Sequence, residues 1–174
     1  MDQKDEYYYD AMDCLGMGKS GAERAIQFLQ KALDLDPHYV QTYVGLANAY
    51  GISGNKEKLT ECVRKAYDET LKVFPIWPKI MPWGVLENRA YLRAIQWMAE
   101  IFTEENEKDK AIDLYKLLLK LNPNDNQGIR YVLAGIYAGI NGDSINKIFD
   151  EGNKKQNWDK LENLVRTQNA KHHF

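Results

Sequence analysis

Apolar residues recur at spacings of three and four from Ala25 to Leu35 and again from Ala111 to Leu121, as they do on a helix with one face turned to a core. The two runs end alike. Ala32-Leu-Asp-Leu-Asp-Pro37 and Leu118-Leu-Lys-Leu-Asn-Pro123 each close the stripe with Asp or Asn and a proline that a helix cannot absorb. Between them, Tyr43, Leu46, Ala47 and Tyr50 mark a further helix that breaks at Gly54, and its partner, with Ala66 at a close-packing position, is predicted to run on to Phe74. After Pro123, Asn126 to Ile140 reads as a helix closed by Asn141-Gly142 and followed by a second over Ser144 to Asp150. Trp158 to Val165 reads as a terminal solvating helix, with Thr167 to Phe174 expected to fray.

The paired runs resemble the tetratricopeptide repeat, a helix-turn-helix of about 34 residues with the pattern W-x2-L-G-x2-Y, then A-x3-F, then P. Alignment on Pro123 places Ile95, Met98, Ala99 and Phe102 in the first helix and Ala111 and Tyr115 in the second. The block after Pro37 carries Tyr43-x2-Leu46-Ala47-x2-Tyr50, and the block before it carries Tyr9, Met12, Ala25, Leu29 and Ala32. In that first block Asp13 and Gly16 stand at the small and aromatic positions, as in an atypical capping repeat. The resemblance implies an all-α, right-handed solenoid of antiparallel helix pairs. A single domain over residues 1–174 is expected, with repeats near 6–39, 40–74, 92–125 and 126–152 and a C-terminal helix near 157–170. Each pair is too small to bury its own apolar face, so stacked neighbours complete it. Small residues at Ala47, Ala99, Ala111 and Gly135 admit close helix contacts; two registers, two positions apart, fit the last repeat.

The array is interrupted. Pro37 and Pro123 lie 86 positions apart, which leaves about 18 residues beyond two periods of the repeat. The excess falls within 73–91, where VFPIWPKIMPWG holds three of the five prolines and two of the four tryptophans. Such a segment cannot be a continuous helix and is too apolar to float free. An irregular Pro/Trp-rich insertion near 73–86, clamped on the solenoid, is expected, followed by a helix from about Val85 to Thr103.

Charge narrows the partners. Twenty-three basic and twenty-five acidic side chains give a formal charge of -2 without any block of five like charges, which argues against a general grip on nucleic acid or anionic lipid. MDQKDEYYYD has no secretion-signal pattern and no stretch approaches the ~18 apolar residues of a membrane span, so a cytoplasmic location is expected. Cys14 and Cys62 are expected as reduced structural thiols.

Candidate catalytic chemistry is thin. Gly16-Met-Gly-Lys-Ser20 echoes the end of a phosphate-binding loop, but Asp13 occupies the position of its first glycine and the preceding segment is helical; a turn between two helices accounts for it. His38, His172 and His173 have neither metal-ligand spacing nor an orienting partner in the sequence, and no serine or cysteine sits in a nucleophile elbow. The charged run Glu104 to Lys110 falls at an inter-helix turn. No catalytic activity, cofactor or metal is therefore expected.

The resemblance implies instead a protein- or peptide-binding module. In tetratricopeptide proteins the first helices line a concave groove, and residue-by-residue transfer gives Gln41, Val44, Asn48 and Gly51, then Arg93, Gln96, Glu100 and Thr103, then Gln127 and Arg130. Arg89 shares a face with Arg93 one turn away. Arginine forks pair with carboxylates, so an acidic or carboxylate-ended peptide is the expected ligand class. Arg89 and Arg93 either meet that ligand or brace the solenoid, and Asn88 caps or buttresses the insertion. Of the terminal-carboxylate clamp of the chaperone-binding members only Asn48 is matched; Asp10 and Cys14 occupy the corresponding first-repeat positions. PWGVLENRAYLRA with LNPNDNQGIRY also resembles a module of bacterial tetratricopeptide proteins, implying that Trp83, Asn88, Arg89, Asn124, Asp125, Asn126, Gln127, Gly128 and Arg130 form one unit. Two other readings remain open: a self-associating scaffold using Tyr7-Tyr8-Tyr9 or Trp77 and Trp83, and an enzyme whose residues converge around the insertion.

Overall fold

The computed structural model describes residues 2–174, and among them every regular element is a helix. The order is α1 (Gln3–Leu15), α2 (Lys19–Leu35), α3 (Val40–Ser53), α4 (Lys56–Val73), α5 (Asn88–Glu104), α6 (Lys108–Leu121), α7 (Ile129–Tyr137), α8 (Gly142–Lys155) and α9 (Asp159–His172). The helices form pairs α1/α2, α3/α4 and α5/α6, each packed on the next. Contacts of α3 with α1 and with α5 make these first helices a common layer, so the all-helical repeat architecture is as expected.

The repeat positions are the core. Ile95, Met98, Ala99, Ala111 and Tyr115 are all at most 3% exposed, and they join Leu29, Leu92, Leu118 and Leu121 in one continuous cluster. The helix ends follow from local chemistry. Gly54 adopts φ 79° to end α3, and the Asn55 side chain accepts the Lys58 N–H to start α4. Gly16 to Ser20 is the turn into α2, where the Ser20 hydroxyl donates to the Met17 carbonyl at 3.0 Å. Burial pushes the Cys62 thiol up to about 11, and both cysteines are buried and free, as expected of structural thiols.

Several boundaries differ from expectation. Helix α4 ends at Val73, with Phe74 as its C-cap. Helix α5 begins at Asn88 rather than near Val85, because residues 83–87 form turns held by local bonds: the Val85 N–H on the Pro82 carbonyl and the Asn88 and Arg89 side chains on the Pro82 and Trp83 carbonyls. Helix α7 is shorter than 126–140: Asp125 (φ 47°) and Gly128 (φ 71°) make a left-handed turn, and the Asp125 carboxylate then accepts the N–H groups of Ile129 and Arg130. Helix α8 extends beyond 144–150 at both ends. The expected frayed tail is instead helical to His172. The Tyr137 ring stacks on His172 at 3.9 Å and on Phe174 at 5.6 Å, and Leu161 is fully buried.

The insertion is clamped. Met81 is 1% exposed, and its N–H donates to the Leu121 carbonyl at 2.5 Å, an acceptor that the end of α6 leaves without a helical partner. Phe74 stacks on Trp77 and meets Tyr91 edge-on at 4.9 Å, which holds the entry to the insertion against α5. At the far end the layer opens. Among the described residues α5 and α7 make no close backbone contact; α7 packs on α6, α8 and α9 instead.

Two consequences can be measured. A Cβ on Gly21 would lie 1.8 Å from the Cys14 carbonyl oxygen, so Gly21→Ala must push α1 from α2. A loss of about 1–3 kcal/mol is expected, or roughly 2–12 °C in Tm by circular dichroism. Lys4 meets Asp36 at 2.6 Å; the ammonium holds the Asp36 carboxyl below its usual range, and the carboxylate lifts Lys4 above its own. The stability from this pair is complete between the ordinary carboxylate and ammonium values. It is lost as pH falls through the depressed Asp36 value or rises through the elevated Lys4 value. Asp36→Asn should therefore lower Tm at pH 7 and converge with wild type in strong acid.

Candidate functional site

Helix α5 sets the candidate surface because its exposed residues repeat at helical spacing while Ala90, Leu92, Ala94, Ile95, Met98, Ala99 and Ile101 fill the core. Three concavities adjoin it, one of them, about 630 Å³, lined by Glu100, Thr103, Glu104 and Lys108. A cavity of about 180 Å³ is lined by Arg89 and Arg93 together with Tyr8, Tyr9, Gln41 and Val44. A larger one, about 1010 Å³, is lined by Gln96, Glu100 and Gln127 and by residues of α7, α8 and α9. Six of the eight groove residues named from the sequence thus fall in two groups. Asn48 is exposed on α3 and lines neither cavity; Arg130 lies beside the larger one without lining it.

The arginines serve the insertion first. Arg89 Nε donates to the Trp83 carbonyl at 3.0 Å, and Asn88 Nδ2 donates to the Pro82 carbonyl at 2.9 Å. The guanidinium groups of Arg89 and Arg93 both lie over the Trp83 ring, at 5.2 and 5.3 Å. Among the described residues neither has a carboxylate within ion-pair distance, Glu87 included. Arg89 is thus committed through both its Nε and its ring contact. Arg93 keeps its hydrogen-bonding edge uncommitted while lining the cavity. Gln41 offers its amide oxygen to the Tyr39 hydroxyl at 2.7 Å, and that hydroxyl also lies 2.8 Å from Asp5.

The other half is joined by an amide relay. Gln127 Nε2 donates to Gln96 Oε1 at 2.6 Å and to the Leu92 carbonyl at 3.3 Å; Gln96 Nε2 donates to Glu100 at 3.0 Å. Glu100 is reached by solvent yet walled by protein on the concave side, and this desolvation lifts its carboxyl above the ordinary value. Asp125 is also lifted by burial, which outweighs its bonds to the α7 N–H groups. Arg130 lies over the Tyr131 ring at 4.6 Å and donates to its hydroxyl at 2.6 Å, with Glu162 at 3.5 Å and Asp125 at 3.9 Å. The residues of the PWG to RY block therefore form two clusters, linked where Gln127 reaches Leu92 and Gln96.

Sequence reasoning missed Tyr131, Phe149, Trp158 and Glu162, which line the larger cavity. Groove positions counted on first helices cannot nominate α8 or α9. The tyrosine cluster is not a free patch: Tyr7 stacks on Phe28 and Tyr8 approaches Tyr39 at 6.1 Å, leaving Tyr9 at 52% exposure. Apolar exposure lies rather in the insertion, with Ile76 at 87% and Leu86 at 63%. Among the described residues no group of three or more His, Cys, Asp or Glu side chains is placed to hold a metal ion, and no helix is long and apolar enough to cross a membrane.

Residues 92–125 match the family model of the tetratricopeptide repeat, which covers α5, α6 and the turn to Asp125. No curated protein matches the chain.

Arg89→Ala removes a charge-assisted hydrogen bond and a ring contact, and is expected to cost about 1–3 kcal/mol. It should also speed tryptic cleavage after Lys79, the exposed lysine of the insertion. Arg93→Ala should cost less than about 1 kcal/mol and leave that cleavage unchanged. Equal behaviour of the two variants would refute the division of roles.

Proposed function

We propose that the protein acts by binding an extended segment of another protein along the concave side of its first helices, with α5 as the spine. One observation carries this reading. Half-buried Arg93 and Gln96 and exposed Glu100 share one face of α5, with Arg93 lining the smaller cavity and Gln96 and Glu100 the larger. The tetratricopeptide match over the same helix supports it, since repeats of this type serve protein interaction. The groove-facing helices are held by the core before any ligand arrives, so the ordering cost on binding falls mainly on the ligand.

Within this reading Arg93 receives an acidic side chain or a terminal carboxylate. Its guanidinium is presented by the Trp83 ring, with no internal carboxylate to displace. Arg89 contributes positive potential while bracing the turn. Gln41, Gln96 and Gln127 offer amides at the sides of the bound segment. Nothing in this role requires a chemical step, and the protein is assigned no reaction of its own.

The reading is tested with a binder selected from a displayed peptide library. Replacing Arg93 and Gln96 together by alanine should weaken that binder at least about tenfold, equivalent to roughly 1.4 kcal/mol, with little change in Tm. Unchanged affinity in the doubly substituted protein would place the binding surface elsewhere.

A further inference from the structure

The larger concavity carries charge of one sign. Glu100, Asp125, Asp159 and Glu162 line it, and no lysine or arginine does. Arg130, from behind, answers Asp125 and Glu162 at 3.9 and 3.5 Å. Among the described residues neither Glu100 nor Asp159 has a cation within ion-pair distance, although Lys108 lines an adjoining cavity with Glu100. Their side chains meet only amide donors, Gln96 at 3.0 Å and Asn157 at 3.2 Å. A carboxylate drawn partly out of water with no cation costs free energy that an arriving cation recovers.

The walls suit a planar cation. Phe149 is 41% exposed, and half-buried Trp158 packs its indole on Gly152, where a Cβ would meet the ring at 2.8 Å. The molecule already seats one guanidinium in this way: Arg130 lies over Tyr131 with Glu162 beside it. Gln127, also in the lining, has its Oε1 buried with no donor. That acceptor gains a partner if an N–H donor enters and the side chain turns. The volume of the space, about 1010 Å³, exceeds what one arginine side chain occupies and leaves room for the backbone that carries it.

We infer that this concavity seats a basic side chain, arginine in preference to lysine, of the segment bound in the groove. The inference rests on the groove reading above and adds the chemistry of its far end. Arginine is preferred because its planar fork can pair with a carboxylate while its face lies on an aromatic ring. The elevated carboxyl of Glu100 accords with this, since desolvation, and the Glu104 carboxylate after it, disfavour its charged form and an arriving cation would relieve both.

Three fluorescein-labelled octapeptides, identical except for Arg-Arg, Gln-Gln or Glu-Glu at the centre, test the seat by fluorescence anisotropy. The Arg-Arg peptide is expected to bind at least tenfold tighter than the Gln-Gln peptide. Glu100→Gln, alone and with Asp159→Asn, should remove most of that preference. Glu23→Gln, on the exposed face of α2, should leave it intact. Circular dichroism of each variant confirms the fold. Equal binding of the Arg-Arg and Gln-Gln peptides overturns the seat, as does a preference that survives both substitutions. If the unsubstituted protein shows no Arg-Arg preference but binding still falls with Arg93→Ala, the seat fails and the groove stands. If no peptide shows Arg93-dependent binding, the groove fails with it.

Discussion

The hydrogen bond from the Met81 N–H to the Leu121 carbonyl turns an interruption of the array into a part of it. A helix end leaves carbonyls without partners, and a regular repeat would satisfy them locally or with water. Here α6 receives a donor from a segment some forty residues earlier in the chain, and the Met81 side chain is buried with it. Once Met81 is fixed, Pro82 and Trp83 must follow, and their carbonyls receive Asn88 and Arg89. Those two bonds set the first turn of α5 and bring the Trp83 ring beneath Arg89 and Arg93. The smaller cavity thus depends on an anchor outside it.

The same dependence explains what the sequence could and could not reveal. Ile95, Met98, Ala99, Ala111 and Tyr115 were legible because their burial repeats at helical spacing, and the core consists of such positions. The start of α5 was not, since Val85, Leu86 and Glu87 are compatible with a helix and it is the bonds of Asn88 and Arg89 back to the Pro82 and Trp83 carbonyls that hold them in turns. As a chain end, Thr167 to Phe174 is expected from sequence to fray. Its docking rests on Tyr137, which lies more than thirty residues away and stacks on His172 and Phe174. Gly135 was legible as a small position, and a Cβ there would meet Ile145 at 2.6 Å.

The candidate surface was legible only as far as one helix layer reaches. Counting positions on first helices brought Gln41, Arg89 and Arg93 to one cavity and Gln96, Glu100 and Gln127 to the other. It could not show that α7 stands apart from α5, nor that α9 closes the space between them. Arg130 illustrates the limit. Its position faces the groove by register, yet Tyr131, Glu162 and Asp125 draw its side chain behind the cavity wall.

Charge along α5 runs against the stability of the helix itself. Arg89 lies in the first turn and Glu100 and Glu104 near the last, where the helix dipole favours the opposite signs by about 0.3–1 kcal/mol for each exposed charge. The buried face of α5 carries that cost, and two of the charges are answered: Glu104 by Lys56 at 2.9 Å, Arg89 by the Trp83 carbonyl. Among the described residues Arg93 and Glu100 have no counter-ion within ion-pair distance. Their fields add to that of the helix backbone, so this face of α5 is positive toward its start and negative toward its end. Seven residues of helix separate them, about 10 Å of rise, which an extended chain crosses in about three residues. A bound segment would then place an acidic group and a basic one at that separation, and only one of its two directions would satisfy both ends.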